Sequence, residues 1–201
     1  VRARLLPGLF FLALSLAPAA DAATPPLAEI SIGAAKAPVT VIEYASIGCP
    51  HCGTWSREVF PAFKKRFIDT GRVRFVVREM LTGDSAVAAA GWLTVRCASP
   101  AKYFQVVEGL FAAQPRMESD GDDLPAILDV AAQVGLSRTQ VSDCLSDHAA
   151  LAALEARADA YVENDKVDST PTFDIAGKRL EGEQGLEALA AAIEAAGHRR
   201  R

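Results

Sequence analysis

Val39 to Ala45 reads Val-Thr-Val-Ile-Glu-Tyr-Ala, a run of β-formers apolar on both faces of an extended chain. Such a run belongs in the middle of a sheet covered on both sides, which points to an α/β architecture. Ser46-Ile47-Gly48 follows, then Cys49-Pro50-His51-Cys52. Pro50 sits where a helix begins, and proline is favoured in a first turn. Phe60, Phe63, Lys64 and Phe67 continue at helical spacing toward Gly71, with Pro61 placed to kink or restart the helix. Val73 to Val77 is a second apolar strand. Strand, helix, strand is a βαβ unit, and its first strand-to-helix turn holds two of the four cysteines.

The pattern changes at Asp84. From there to Asn164 the chain is alanine-rich and helical in spacing, enough for about four or five helices. Ser99-Pro100 is expected to cap one helix start, and Asp123 with Pro125 marks another. Ser137 with Gln140 is a capping box. Gly109 and Gly135 are expected stops or breaks. Thr170 to Ile175 is then strand-like, Ala176-Gly177-Lys178 turns the chain, and Arg179-Leu180-Glu181 returns it as a hairpin. Leu186, Leu189, Ala190 and Ile193 line one face of a last helix ending at Gly197. The order is βαβ, helical block, ββα. It implies a core in two parts, 39–83 and 165–197, interrupted by a helical insertion at 84–164. Residues 23–38 are a linker or N-terminal strand, and 198–201 a basic tail.

Ahead of the core lies the pattern of a signal peptide over residues 1–22. Arg2 and Arg4 precede an apolar run from Leu5 to Leu16, and Ala17-Pro18-Ala19 and Ala20-Asp21-Ala22 offer cleavage sites. The run is short of the ~20 residues that a bilayer span needs. Export to the periplasm is therefore the expectation. In an oxidising compartment disulfides persist, and four cysteines allow three pairings. The net charge of −4 argues against a nucleic-acid partner, which requires a clustered basic surface.

A reactive cysteine must be a thiolate, and Cys49 has three features that favour one. It sits at a helix N-terminus, where unpaired N–H groups and the helix dipole stabilise an anion. His51 adds positive charge or a hydrogen bond. Cys52 lies one turn on, within reach of a disulfide. Attack on that disulfide would give a mixed disulfide through Cys49, and stabilising the reduced thiolate makes the pair a stronger oxidant. A mere staple closes too small a loop to stabilise much. Zinc is disfavoured because Cys97 and Cys144 form no second close ligand pair. No metal and no cofactor beyond the Cys49–Cys52 disulfide is expected.

With these residues the sequence resembles the DsbA family of thioredoxin-fold oxidoreductases, from Val39 through Ala196. Val41 to Cys52 looks much like the family's active-site strand and loop, and Pro-His is its usual dipeptide between the cysteines. The resemblance implies a thioredoxin fold with an inserted α-helical domain. It also implies a protein disulfide oxidase for newly exported cysteine-containing proteins, reoxidised by a membrane quinone-linked partner like DsbB. Thr170-Pro171 matches the family's cis-proline loop, which lies against the cysteines and holds substrate main chain. Glu43 matches a position that often carries a buried acid, able to relay protons for Cys52. Cys97 and Cys144 fall in the helical block, where some relatives carry a second, structural disulfide.

Other readings share the motif. A reductase or isomerase would use the same pair. The dimeric isomerases carry an added N-terminal domain, for which the segment between Ala22 and Val39 is too short, so a monomeric oxidase is expected. A copper-binding or chaperone protein on the same fold is the rival from another class. Trp55 is read equally as groove or core, Trp92 as core of the helical block, and Arg78 as a surface cation. His148 and His198 are assigned no role.

Overall fold

A computed structural model describes residues 29–121 and 123–199. The signal peptide and the end of the basic tail lie outside the described residues.

Five strands form one mixed sheet in the order β1-β3-β2-β4-β5. They are β1 (Ser31–Ile32), β2 (Val39–Ala45), β3 (Val73–Glu79), β4 (Thr172–Ile175) and β5 (Lys178–Glu181). The run of β-formers is the central strand: β2 pairs parallel with β3 and antiparallel with β4. Glu43 thus stands opposite Val77 on one side and Phe173 on the other.

Helix α1 (Pro50–Glu58) leaves the end of β2. It breaks at Val59, and α2 (Phe60–Phe63) restarts with Pro61 in its first turn, as the missing proline N–H requires. A π-helical turn, Lys64–Ile68, completes the crossover to β3. Trp55, Phe60, Phe63, Phe75 and Phe173 pack their rings together beneath these helices, with Trp55 and Phe173 centroids 4.8 Å apart. Trp55 is therefore core rather than groove. Its Nε1 donates to the Gln184 carbonyl, which satisfies the one polar atom of a buried indole.

The insertion comprises α3 (Ser85–Cys97), α4 (Tyr103–Asp120), α5 (Asp123–Gln133), α6 (Arg138–Leu145) and α7 (His148–Glu163). The Ser137–Gln140 capping box forms as read. Two expectations fail. Ser99 makes no side-chain cap, because Pro100–Lys102 is a 3₁₀ turn that carries the chain into α4. Gly109 is no break but lies inside α4, where a Cβ would meet Val130 Cγ1 at 2.7 Å. It lets α4 and α5 pack closely. Helix α8 (Leu186–His198) covers the sheet and runs one residue into the expected tail.

Insertion and core are joined by charge as well as by apolar packing. Glu79, at the end of β3, is buried and accepts from Arg96 of α3 and from Arg157 of α7 at 2.8 Å. The Tyr103 hydroxyl donates to it at 3.1 Å. A buried carboxylate is tolerable when its lone pairs are taken up in this way. Arg78 is likewise no free surface cation: it contacts Glu29, Asp165 and the Tyr44 hydroxyl, and its guanidinium packs on the Tyr44 and Tyr161 rings.

Candidate active site

Cys49 occupies the N-cap of α1 with an extended backbone, φ −102° and ψ 115°. Pro50 takes the first helical position, so the proline costs no hydrogen bond there. Two loops meet beneath the motif. Asp84 N–H donates to the Gly48 carbonyl at 3.0 Å. A Cβ on Gly48 would lie 2.0 Å from the Asp84 carbonyl oxygen, so this approach demands glycine.

Both thiols are free, and they differ sharply. Cys52 is fully buried and Cys49 is 6% exposed. The Cys49 thiol is lowered from 9.0 to about 5, first by the hydrogen bond from Cys52. The Thr170 hydroxyl and the backbone N–H groups of Cys52 and His51 add to this against the cost of burial. Cys52 is pushed well above 9.0 by burial, by its bond to Cys49 and by the charge of Glu43. One member of the pair is thus kept as the anion and the other as the neutral thiol.

Thr170-Pro171 is a cis peptide. It sets the Thr170 carbonyl 3.4 Å from Cys49 Sγ, and the Thr170 hydroxyl lies 2.5 Å from that of Thr82. Glu43 is buried below the cysteines, and its Oε1 has no hydrogen-bond partner. Burial first, then the charge of Cys49, lifts its carboxyl from 4.5 to about 8. His51 is exposed, and its Nδ1 lies 2.5 Å from Glu183 Oε1. That contact raises the imidazole above 6.5, which favours the cation beside Cys49. Cys97 and Cys144 stand apart from this site, joined in a disulfide between α3 and α6 with Cα atoms 6.0 Å apart. Among the described residues no three His, Cys, Asp or Glu side chains gather as a metal-binding group.

The structure adds residues that the sequence did not mark. Gln114 of α4 is buried, and its Nε2 donates to the carbonyls of Ile47 and Cys49, each at 2.9 Å. Gly53 makes room for it, since a Cβ there would lie 1.6 Å from Gln114 Oε1. Glu183 and Gln184 hold the first two turns of α1, at His51 and Trp55, from the segment after β5, while Gly182 N–H donates to the Pro171 carbonyl at 2.8 Å. No local pattern announces these contacts, because each joins residues more than sixty apart in sequence or depends on the hairpin's return.

A family model described as Thioredoxin matches residues 27–195. A protein of Rickettsia conorii, named by inference a protein-disulfide oxidoreductase, is 26% identical over 169 residues, 84% of this chain and 60% of its own. The chain spans about three fifths of the length of the curated relatives it matches. Among solved structures, alpha-DsbA1 of Wolbachia pipientis superposes with a TM-score of 0.78 at 22% identity, over 87% of this chain and 94% of that one. BdbD of Bacillus subtilis gives 0.75 at 22% identity, over 85% and 93%. The fold is thus the thioredoxin fold with a helical insertion that these proteins share.

Proposed function

The chain belongs to the thioredoxin family, and on that footing we propose that it is a thiol:disulfide oxidoreductase that donates the Cys49–Cys52 disulfide to exported proteins. The observation that carries this reading is the split between the two thiols, Cys49 held as an anion and Cys52 as a neutral, buried thiol. A client thiolate attacks Cys49, the less deeply buried member of the pair. The Cys49–Cys52 bond breaks, a mixed disulfide forms, and Cys52 leaves and takes a proton, for which Glu43 is the nearby acid. A second client thiolate then attacks the client sulfur of the mixed disulfide and expels the Cys49 thiolate. Two electrons pass to the protein and one disulfide to the client. Because the leaving thiolate is stabilised, the oxidised pair is the less stable form and transfer runs toward the client.

His51, whose cationic form Glu183 favours, and the Thr170 hydroxyl support the thiolate. Pro171 presents the client's main chain to it. No cofactor beyond the pair is called for. The working place is the periplasm, reached through the signal peptide, and the protein acts as a monomer. Its partners are unfolded cysteine-containing proteins and a membrane quinone-linked reoxidase that restores the disulfide. No described helix is long and apolar enough to cross a membrane.

Equilibration with glutathione tests the direction. The expected result is a couple that glutathione readily reduces, with oxidation of a reduced dithiol peptide lost in Cys49→Ser. A couple more reducing than glutathione would make the protein a reductase instead.

A further inference from the structure

Three loops meet at Cys49: the motif itself, the segment before Pro171, and the turn from β3 into α3 that carries Thr82, Gly83 and Asp84. The third loop is clamped to the first. The Ser46 hydroxyl donates to the Thr82 carbonyl at 2.7 Å and accepts the Gly48 N–H at 3.2 Å. Asp84 N–H donates to the Gly48 carbonyl. Gly83 has a φ of 72°, and a Cβ there would lie 2.1 Å from the Gly48 carbonyl oxygen. With its backbone held in this way, Thr82 turns its side chain to the second loop, and its Oγ1 lies 2.5 Å from Thr170 Oγ1. Both threonines are partly buried.

We propose that Thr82 is a positioning residue for the cysteine pair: its hydroxyl donates to Thr170 Oγ1 and so commits the Thr170 proton to Cys49 Sγ. The proposal rests on the oxidase reading, because a stabilised Cys49 thiolate is what makes the disulfide easy to reduce. Each hydroxyl carries one proton. One of the two protons occupies the contact between the threonines, and the other needs an acceptor. Among the described residues, Thr82 Oγ1 has no hydrogen-bond partner besides Thr170. Thr170 Oγ1 has the Cys49 sulfur, whose anion it supports. With Thr82 as donor, both protons are used. With Thr170 as donor, the Thr82 proton finds no protein acceptor and the thiolate loses a hydrogen bond.

The direction matters because Thr170 presents two opposed groups to one sulfur. Its carbonyl oxygen, 3.4 Å from Cys49 Sγ, accepts from a neutral thiol and disfavours an anion. Its hydroxyl donates and favours the anion. A Thr170 proton turned toward Thr82 would leave the carbonyl's preference unopposed. The other groups that bear on Cys49 come from α1 and β2: the Cys52 thiol, the His51 imidazole with Glu183 behind it, and the Glu43 carboxyl. Asp84, in the Thr82 loop itself, caps α3, where its carboxylate accepts the Ala86 and Val87 N–H groups.

The test is titration of the Cys49 thiolate by ultraviolet absorbance in reduced protein, together with equilibration of the pair against glutathione at neutral pH. Thr82→Val keeps the shape of the side chain and removes its proton. It is expected to raise the thiolate midpoint by about 0.5–1 pH unit and to make the disulfide about 3- to 10-fold harder to reduce. The factor is the same in both because Cys49 is ionised at neutral pH. Thr82→Ser keeps the hydroxyl and should stay close to wild type on both readings. In a Thr170→Val background, Thr82→Val should move neither, since the proton it directs is gone. A merely structural role would lower the urea midpoint and leave the thiolate titration in place. The proposal is overturned if Thr82→Val leaves the thiolate midpoint unchanged, if Thr82→Ser behaves like the valine variant, or if Thr82→Val keeps its full effect without the Thr170 hydroxyl. A wild-type couple more reducing than glutathione would instead overturn the oxidase direction, while the ratio of Thr82→Val to wild type would still decide the role of Thr82.

Discussion

Replacing Glu43 by glutamine should change how stability depends on pH. The wild-type carboxyl is buried, its Oε1 is unpartnered, and it titrates at about 8 in the folded protein against 4.5 as a free group. At pH values below 4.5 it is protonated in both the folded and the unfolded chain and has no effect on their balance. Above that, the unfolded chain ionises while the folded one holds its proton. Stability is therefore lost as pH rises, until the folded group ionises near 8. At neutral pH the accumulated loss is roughly 3 kcal/mol, from about two and a half pH units at 1.36 kcal/mol each. Oxidised protein is the right material, because burial, the larger cause, then acts without the Cys49 charge, and the figure above becomes the upper bound. Urea unfolding of wild type and Glu43→Gln, followed by circular dichroism between about pH 4 and pH 7, measures the two slopes. Glutamine keeps the shape and cannot ionise, so any packing difference is the same at every pH and drops out. The wild type should lose up to roughly 3 kcal/mol more than the variant across that range. Parallel curves would refute the assignment of Glu43 as a carboxyl kept neutral by its surroundings.

Three further outcomes are expected. In reduced protein the ultraviolet absorbance of the Cys49 thiolate should fall with a midpoint near pH 5, and a midpoint above neutrality would contradict the site as described. Gln114→Leu removes a donor from the Ile47 carbonyl and leaves the Cys49 carbonyl with the Gly53 N–H alone, and should destabilise the protein by about 1–3 kcal/mol in urea; a loss below about 0.5 kcal/mol would show that the amide is dispensable. Replacing both Cys97 and Cys144 by serine opens a loop of 47 residues and should lower stability by about 4 kcal/mol on the chain-entropy account, read from the shift in the urea midpoint.

What could be read along the chain was whatever repeats at short range. The run from Val39 to Ala45 announced a central strand because both its faces are apolar. Ser137 and Gln140 announced a helix start because a capping box is complete within four residues. The motif at Cys49 was visible for the same reason. Ser99 misled, because its capping propensity says nothing about whether the next three residues turn as α or as 3₁₀. Gly109 misled, because a glycine that ends a helix and one that lets two helices touch look alike until the partner, Val130, is placed. Glu79, Gln114 and Glu183 lay beyond local reading altogether. Each is an ordinary polar residue whose meaning comes from what the fold brings against it: two arginines from separate helices, two carbonyls of a distant loop, and the imidazole at Cys49. Glu43 was an intermediate case. An acid inside an apolar strand is legible as unusual, but its missing partner is not.

The contact of Gln114 with the active-site loop bears on how this fold can be taken apart. A helical insertion in a two-part core invites the view of a removable cassette, with the chemistry retained by the remainder. Here the cassette supplies the only side chain among the described residues that donates to the carbonyl of the reactive cysteine, and the core has surrendered a Cβ at Gly53 to admit it. A minimal version with the insertion trimmed away would keep both cysteines and still lose the shape of the loop that presents them. The two parts have become one machine at the level of a single amide, so any shortened or circularly rearranged form must keep α4 docked against α1.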